Sequence, residues 1–536
     1  MKRIVSVIKD HPEMTLAALG AILAFVLRYW YFWSYPYPLM LHEQDGIAYM
    51  SIAKDLIAFK APANLFMPPF YPLVITVFSL LPVKLEIAAR VASITLDALI
   101  VFPLYGLSRI ILPRGASLAV CFLWSTFTFS LFFTPSPLSQ STYLFMLLSG
   151  VYLLYRALTE SGRIVFFTLA GFSLACAYLT RPEGVVSIGI ALVLTATGVF
   201  RRGADRRAHL KGGAVLLGAF LLTASPYLVM LHSQFGHWSF TAKTVVAIKG
   251  IDGSLTLGAG KGAVKGGLDL WLEQFGGLSG GLKFIRGNVA GFYSLLLRTF
   301  APWTHLLALV GIPFIFIGKN LFNRLFLLFP VLMTIPVYVA NLPKNHSYIY
   351  PLFPVCMIAF VAGVWGIISL VKNGMEKVWT GVPQKMTAML ALLLLALPVA
   401  VMGVNGCREA TANYISPEYL FQVEQTNKVF KAAAEDIKAA SGPEDRLMTR
   451  WGLVSYFAER PLITLPKGNI EEVLAHGRKA GAYLILIDEE SVNSRRQELT
   501  ELLGPLYGTG VDPRYGVDVV AARTTDLGGY VIYKFR

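Results

Sequence analysis

The sequence predicts a polytopic α-helical membrane protein with a soluble α/β domain on the exterior side at its C-terminal end. Three observations predict it. Hydrophobic residues make up 55% of the 536 positions and charged residues only 15%, against about 25% charged in soluble globular proteins. Apolar runs of spanning length, roughly 17–25 residues, recur through the first 404 positions and then stop. Basic residues collect in every second short loop, as they do on the cytoplasmic side of a membrane. The net charge of +15 and the mean hydropathy of +0.58 follow from that distribution. No nucleic-acid partner is implied.

About eleven spans are predicted, near 14–33, 87–108, 116–133, 139–155, 164–180, 184–200, 212–231, 302–318, 325–340, 349–371 and 386–404. Lys2, Arg3 and Lys9 precede the first, and Arg109 and Arg114 follow the second. Arg156 and Arg163 follow the fourth; Arg201, Arg202, Arg206, Arg207 and Lys211 follow the sixth. Lys319 and Arg324 follow the eighth; Lys372, Lys377 and Lys385 follow the tenth. This alternation puts the N-terminus in the cytoplasm and the C-terminal part outside a plasma (inner) membrane. Tyr29-Trp30-Tyr31-Phe32-Trp33 closes the first span and reads as an interfacial belt, not a processing site. Cys121, Cys176 and Cys356 fall in spans and Cys407 outside them, so no disulfide framework is implied.

Residues 1–404 form the membrane domain, interrupted by two long exterior loops. In the loop 34–86, Ile47, Ile52, Ala53, Leu56 and Ile57 recur at helical spacing with Ser51, Lys54 and Asp55 between them. That pattern predicts a helix lying along the membrane surface. A second apolar segment, 70–81, is too short to span and predicts an interfacial or re-entrant helix. The loop 232–300 is rich in glycine, and a loop this long is usually functional or disordered. From 405 to 536 charges are dense and balanced. Helical spacing over 423–440 and 470–480 alternates with apolar runs at Leu447-Met448-Thr449, 482–487, 517–521 and 530–533. These read as helices and strands of one α/β domain of ordinary size.

The chemistry-bearing residues lie mainly at predicted exterior ends. His42-Glu43-Gln44-Asp45-Gly46 follows the first span. A carboxylate such as Asp45 accepts a proton from an attacking hydroxyl or amine, and Glu43 is placed to orient it or to share a divalent cation with it. A carboxylate pair alone implies no metal, because hard cations want more oxygen ligands. The plain alternative is a solvated pair at a helix N-terminus, where negative charge is favoured. Arg181-Pro182-Glu183-Gly184 makes an exterior turn. Its arginine either grips a phosphate bidentately or snorkels and pairs with Glu183. Lys84 and Arg90 flank Glu86, and Lys344 and His346 follow the ninth span. These either neutralise a phosphate or touch lipid headgroups, and His346 has no second ligand at metal-binding spacing. Arg28 and Asp97 fall inside predicted spans, where charges pair or mark a site; spacing alone does not join them.

Five segments taken in order resemble a family. They are Asp45-Gly46 with Tyr49 and Ala53; Pro68-Pro69-Phe70-Tyr71-Pro72; Ala88-Ala89-Arg90; Leu179-Thr180-Arg181-Pro182-Glu183-Gly184; and Ser347 to Pro354. Together they resemble GT-C type membrane glycosyltransferases, in the bacterial branch related to protein O-mannosyltransferases and lipid A aminoarabinose transferases. The resemblance implies transfer of a sugar from a polyprenyl-phosphate carrier, with inversion, to a glycan, lipid or protein acceptor. Asp45 matches the family's catalytic acid. Relatives often carry a glutamate about where Gln140 stands, so a second acid from that loop is absent and no metal is firmly implied. The rival class is a transporter or flippase of lipid-linked saccharides, which places polar groups near the bilayer midplane; Asp97 is its support. A homologue that binds without catalysis is the third reading, supported by Gln140.

Overall fold

The computed structural model of the chain describes residues 12–34, 44–62, 65–160, 164–200, 205–242, 275–300, 302–316, 320–340, 346–378, 384–414, 417–466, 468–525 and 528–536. It divides into two compact units. One comprises Met1–Ser34, Ile52–Lys249 and Val264–Asn413; the other comprises Tyr35–Ser51, Gly250–Ala263 and Tyr414–Arg536.

The first unit is helical. Among the described residues, seven helices are long and apolar enough to cross a membrane: Pro12–Ser34, Leu85–Ser108, Gln140–Thr159, Pro182–Val199, Arg206–Gln234, Tyr350–Asn373 and Leu393–Ala412. Leu278–Thr299 and Trp303–Phe316, bent by 113° at a short break, make an eighth if taken as one span. Ile164–Tyr178 and Leu321–Ile335 are shorter apolar helices. The predicted spans therefore fall on helices, but not on eleven uniform ones. The span expected at 116–133 is two helices, Arg114–Ser125 and Thr128–Phe133. Between them Phe127 is extended, and the Thr126 hydroxyl turns back onto the Phe122 carbonyl at 3.0 Å.

The loop expected over 232–300 ends instead in a helix, Leu278–Thr299. Asn288 and Thr299 are buried there, and Phe292 and Leu295 pack on the core between them. Their spacing of four, three and four is one helix face; interspersed glycines hide it in the sequence.

Small residues face inward and large apolar ones outward. In Pro12–Ser34 the buried stripe is Ala17, Ala21, Ala24, Arg28 and Tyr31, while Leu16, Leu19, Ile22 and Val26 are each about half exposed. This inversion suits lipid as solvent. Glycine permits the tightest crossing: a Cβ on Gly311 would lie 1.8 Å from the Ala359 carbonyl oxygen, and one on Gly363 would lie 1.9 Å from that of Leu307. Helices of membrane proteins use small residues in this way to bring backbones together.

The surface helices form as expected, Gln44–Ile57 and Phe70–Phe78. Tyr49, Met50, Ile52 and Ala53 of the first are buried, but Ile57 is 43% exposed. Its inward face is thus shifted from the expected one.

The second unit contains a five-stranded sheet, β1 Arg446–Thr449, β2 Leu462–Thr464, β3 Ala482–Asp488, β4 Val517–Thr525 and β5 Gly528–Phe535, in the order β2-β1-β3-β5-β4. The first three are parallel, and β5 runs antiparallel to β3 and β4. Met448, Ile485, Ile487, Val531 and Tyr533 meet Leu499, Leu502 and Leu503 in its core. Helix Ile470–Lys479 starts with a reciprocal cap between Asn469 and Glu472. The edge strand β2 lay outside the sequence expectation because three residues carry too little periodicity.

Candidate functional site

Asp45 is the second residue of Gln44–Ile57 and is exposed. An acid in a first helical turn is favoured by the unpaired backbone N–H groups there. Buried Tyr49 and Met50 hold the following turn. Ile47 lies against Gly452 of the same unit, where an added Cβ would be 3.7 Å from its Cδ1. Glu43 and Lys344 lie outside the described residues. His346 opens the short helix His346–Ile349, but its side chain is not among those described.

In the first unit, the Pro-Pro-Phe-Tyr-Pro segment is an anchor. The Phe70 N–H donates to the Leu179 carbonyl at 2.8 Å, just before Arg181. Tyr71 is fully buried, and its hydroxyl donates to the Ala89 carbonyl at 3.3 Å and shares a hydrogen bond with Ser93 Oγ at 2.8 Å. Ser93 Oγ in turn reaches the Leu138 carbonyl at 3.2 Å.

Arg90 is only 2% exposed, so it is not the open exterior cation the sequence suggested. Its Nε donates to Glu86 at 3.0 Å, one Nη donates to the Pro135 carbonyl at 2.7 Å, and Phe32 lies beneath it. One helical turn separates Arg90 from Glu86, so burial of the charge is matched by a local partner. Lys84, at the cap of the same helix, is exposed.

Arg181 starts the 3₁₀ turn Pro182–Gly184. Gly184 is required there, because a Cβ would sit 2.6 Å from the Tyr178 backbone. The Arg181 Nε donates to Glu183 at 2.5 Å, and the rings of Tyr143 and Tyr348 lie 5.8 and 5.3 Å from its guanidinium. Its side chain is 12% exposed. Arg90 and Arg181 are thus tied to opposite ends of one segment, 135–143. Gln140 lies in that segment, and its buried Oε1 has no hydrogen-bond partner among the described residues.

The structure also joins residues that spacing left apart. Arg28 Nε donates to Asp97 at 2.6 Å, with both side chains fully buried. The other guanidinium hydrogens go to the carbonyls of Ala24, Ser125 and Trp124 and to Ser130 Oγ, at 2.6–3.1 Å. Ser130 Oγ and the Tyr350 hydroxyl donate to the two Asp97 oxygens at 2.7 and 2.8 Å. Arginine has five N–H donors, and all five are used. Tyr350 stands in the later Tyr-Pro motif, but no sequence signal connects it to Asp97.

Among the described residues no three His, Cys, Asp or Glu side chains group as metal ligands.

Residues 67–229 match the family model described as dolichyl-phosphate-mannose-protein mannosyltransferase. The oligosaccharyltransferase AglB of Archaeoglobus fulgidus, in complex with an inhibitory peptide and a dolichol-phosphate, is similar over 98% of this chain and 74% of its own, at 12% identity and a TM-score of 0.58. ArnT of Cupriavidus metallidurans is similar over 96% of this chain and 97% of its own, at 14% identity and a TM-score of 0.54, both in the apo state and bound to undecaprenyl phosphate. The chain therefore shares their fold. No curated protein matches it.

Proposed function

We propose that this chain is an inverting glycosyltransferase that moves a sugar from a polyprenyl-phosphate donor to an acceptor on the exterior face of the membrane. The observation that carries this reading is the family match over residues 67–229, which takes in Tyr71, Arg90, Gln140 and the Arg181 turn. Basic short loops support a cytoplasmic N-terminus, with residues 34–86 and 405–536 outside.

The acceptor oxygen or nitrogen attacks the anomeric carbon, the bond from that carbon to the phosphate oxygen breaks, and the carrier phosphate leaves with the electron pair. Asp45 takes the acceptor's proton; as an exposed acid in a first helical turn it is open to an incoming group. Glu43 orients it. Arg181 opposes the growing phosphate charge; buried Arg90 adds to the positive field, and Lys84, Lys344 and His346 contribute to that field and to lipid contact. A divalent cation at Glu43 and Asp45 is the alternative assignment for the acid pair; chelator-insensitive transfer removes it.

Asp97 was the feature that favoured a transporter. Its carboxylate is engaged by Arg28, Ser130 and Tyr350, which supports a structural role and hence the enzyme. Mass spectrometry of surface glycoconjugates with and without the protein tests the activity: one sugar should disappear, and an unchanged profile overturns the reading. In a purified assay Asp45→Asn should lower transfer by about 10²–10⁴-fold with folding intact; near-normal turnover removes Asp45 from the mechanism.

A further inference from the structure

The second unit holds a cleft that the transfer reaction does not use. Its volume, open mouth included, is about 660 Å³, and it is lined by Phe430, Trp451, Asp488, Glu490, Gly528 and Tyr530, among others. Trp451 follows the C-terminal end of β1, Asp488 ends β3, and Gly528 begins the antiparallel β5. The cleft therefore opens at the carboxyl ends of the parallel strands, where open α/β sheets bind their ligands.

Its chemistry has two parts. Phe430 and Trp451, both largely buried, line its apolar side with tilted rings whose centroids lie 5.7 Å apart. Opposed to it in character are two carboxylates. Asp488 spends one oxygen on the Ser491 N–H at 2.7 Å, which caps the helix Glu489–Arg495. Its second oxygen and both oxygens of exposed Glu490 carry no hydrogen bond among the described residues. The neighbouring acids are already engaged: Glu489 by the Tyr507 hydroxyl and the Gly529 N–H, and Asp436 by Arg523 and the Tyr530 hydroxyl. Arg450 covers one side of the Trp451 ring at 5.3 Å. Gly528 has φ +112°, a conformation that side chains rarely adopt, and a Cβ on Gly529 would strike Leu506 at 2.5 Å.

We infer that this cleft is a saccharide-binding site for a neutral or amino-bearing sugar unit. Aromatic faces pack on the C–H face of a sugar ring, while carboxylates accept from its hydroxyls or ammonium group. Two acids without a cation among the lining residues repel a phosphorylated ligand. The choice of a saccharide over another hydroxyl-rich ligand rests on the proposed sugar transfer, and gives the C-terminal domain the task of holding a glycan.

The test uses the full chain in detergent, titrated with cellobiose, the β-1,4-linked glucosamine disaccharide, glucose 6-phosphate and lysine amide, read by saturation-transfer NMR and calorimetry. At least one of the two disaccharides should bind with roughly millimolar affinity, and glucose 6-phosphate should not. Val429→Trp, which fills the rim, should weaken binding about 10-fold or more. Asp488→Asn with Glu490→Gln keeps the helix cap and an unchanged melting temperature, and should weaken binding by about 10-fold. Asp45→Asn should bind as the parent does. Absence of disaccharide binding, binding unmoved by both variants, or equal binding of glucose 6-phosphate overturns the site. Preference for lysine amide over both sugars also overturns it, in favour of a cationic peptide. Transfer without cleft binding rejects only the cleft, and cleft binding without transfer rejects only the proposed enzyme.

Discussion

Arg28 gives every guanidinium hydrogen to an acceptor inside the protein, whereas Arg181 keeps 12% of its side chain exposed beside Glu183. The difference separates a structural arginine from one able to meet a ligand, and it can be measured. If Arg181 contacts the donor phosphate, Arg181→Ala should lower transfer by about 10²-fold. Arg181→Lys should fall between, since it keeps the charge but loses the fork; detergent melting temperatures should hold. If its role is only the pair with Glu183, Arg181→Ala and Glu183→Gln should both lower the melting temperature and leave donor affinity intact. The residue scale was also the least legible. Arg181 next to Glu183 can be read from a four-residue motif. The Arg28–Asp97 pair spans 69 positions, and Tyr350 joins from 253 positions beyond Asp97; only packing brings them together.

Elements were legible where one periodicity ran without interruption. Gln44–Ile57 and Phe70–Phe78 were expected from their apolar spacing and form. Leu278–Thr299 was merged into a glycine-rich loop because Gly280, Gly281, Gly287 and Gly291 dilute its face. Glycine also marks where helices meet. Gly363 faces the Leu307 carbonyl with no room for a methyl group, while Gly189 has open space around it. Gly363→Ala should therefore destabilise the folded protein in detergent by about 1–3 kcal/mol, the usual range for overpacking. Gly189→Ala, in the helix Val185–Val199, should be neutral or slightly stabilising. Equal melting temperatures for the two would place the helices farther apart than described.

The molecule as a whole was read from its composition: an apolar N-terminal part, alternating basic loops and a charged C-terminal part. Hydropathy reports where a chain is apolar but not where a helix breaks, so the Thr126–Phe127 interruption escaped it. The alternation of basic loops also makes a prediction of sidedness. Single cysteines introduced within 201–211 and within 440–446 should differ in intact cells, with only the second labelled by an impermeant thiol reagent. Equal labelling overturns the orientation. Cys121 and Cys176 are buried and should contribute little background.

The buried arginine of the first span also bears on how the protein is made. A membrane chain is threaded into the bilayer segment by segment, and Arg28 enters before any of its later partners exist. Asp97 follows in the next span, and Ser125 and Ser130 after that. An arginine at the centre of an inserting helix opposes partition by about 2.5–3.5 kcal/mol, less where it reaches the interface. The first segment is therefore held weakly until synthesis has passed residue 130, and its commitment is deferred to helices that arrive later. Stalled nascent chains ending before Asp97 should be extractable from membranes by alkali or urea, and chains ending well beyond Ser130 should resist. Asp97→Asn should shift the longer chains back toward extraction; no change would mean that the first span commits on its own.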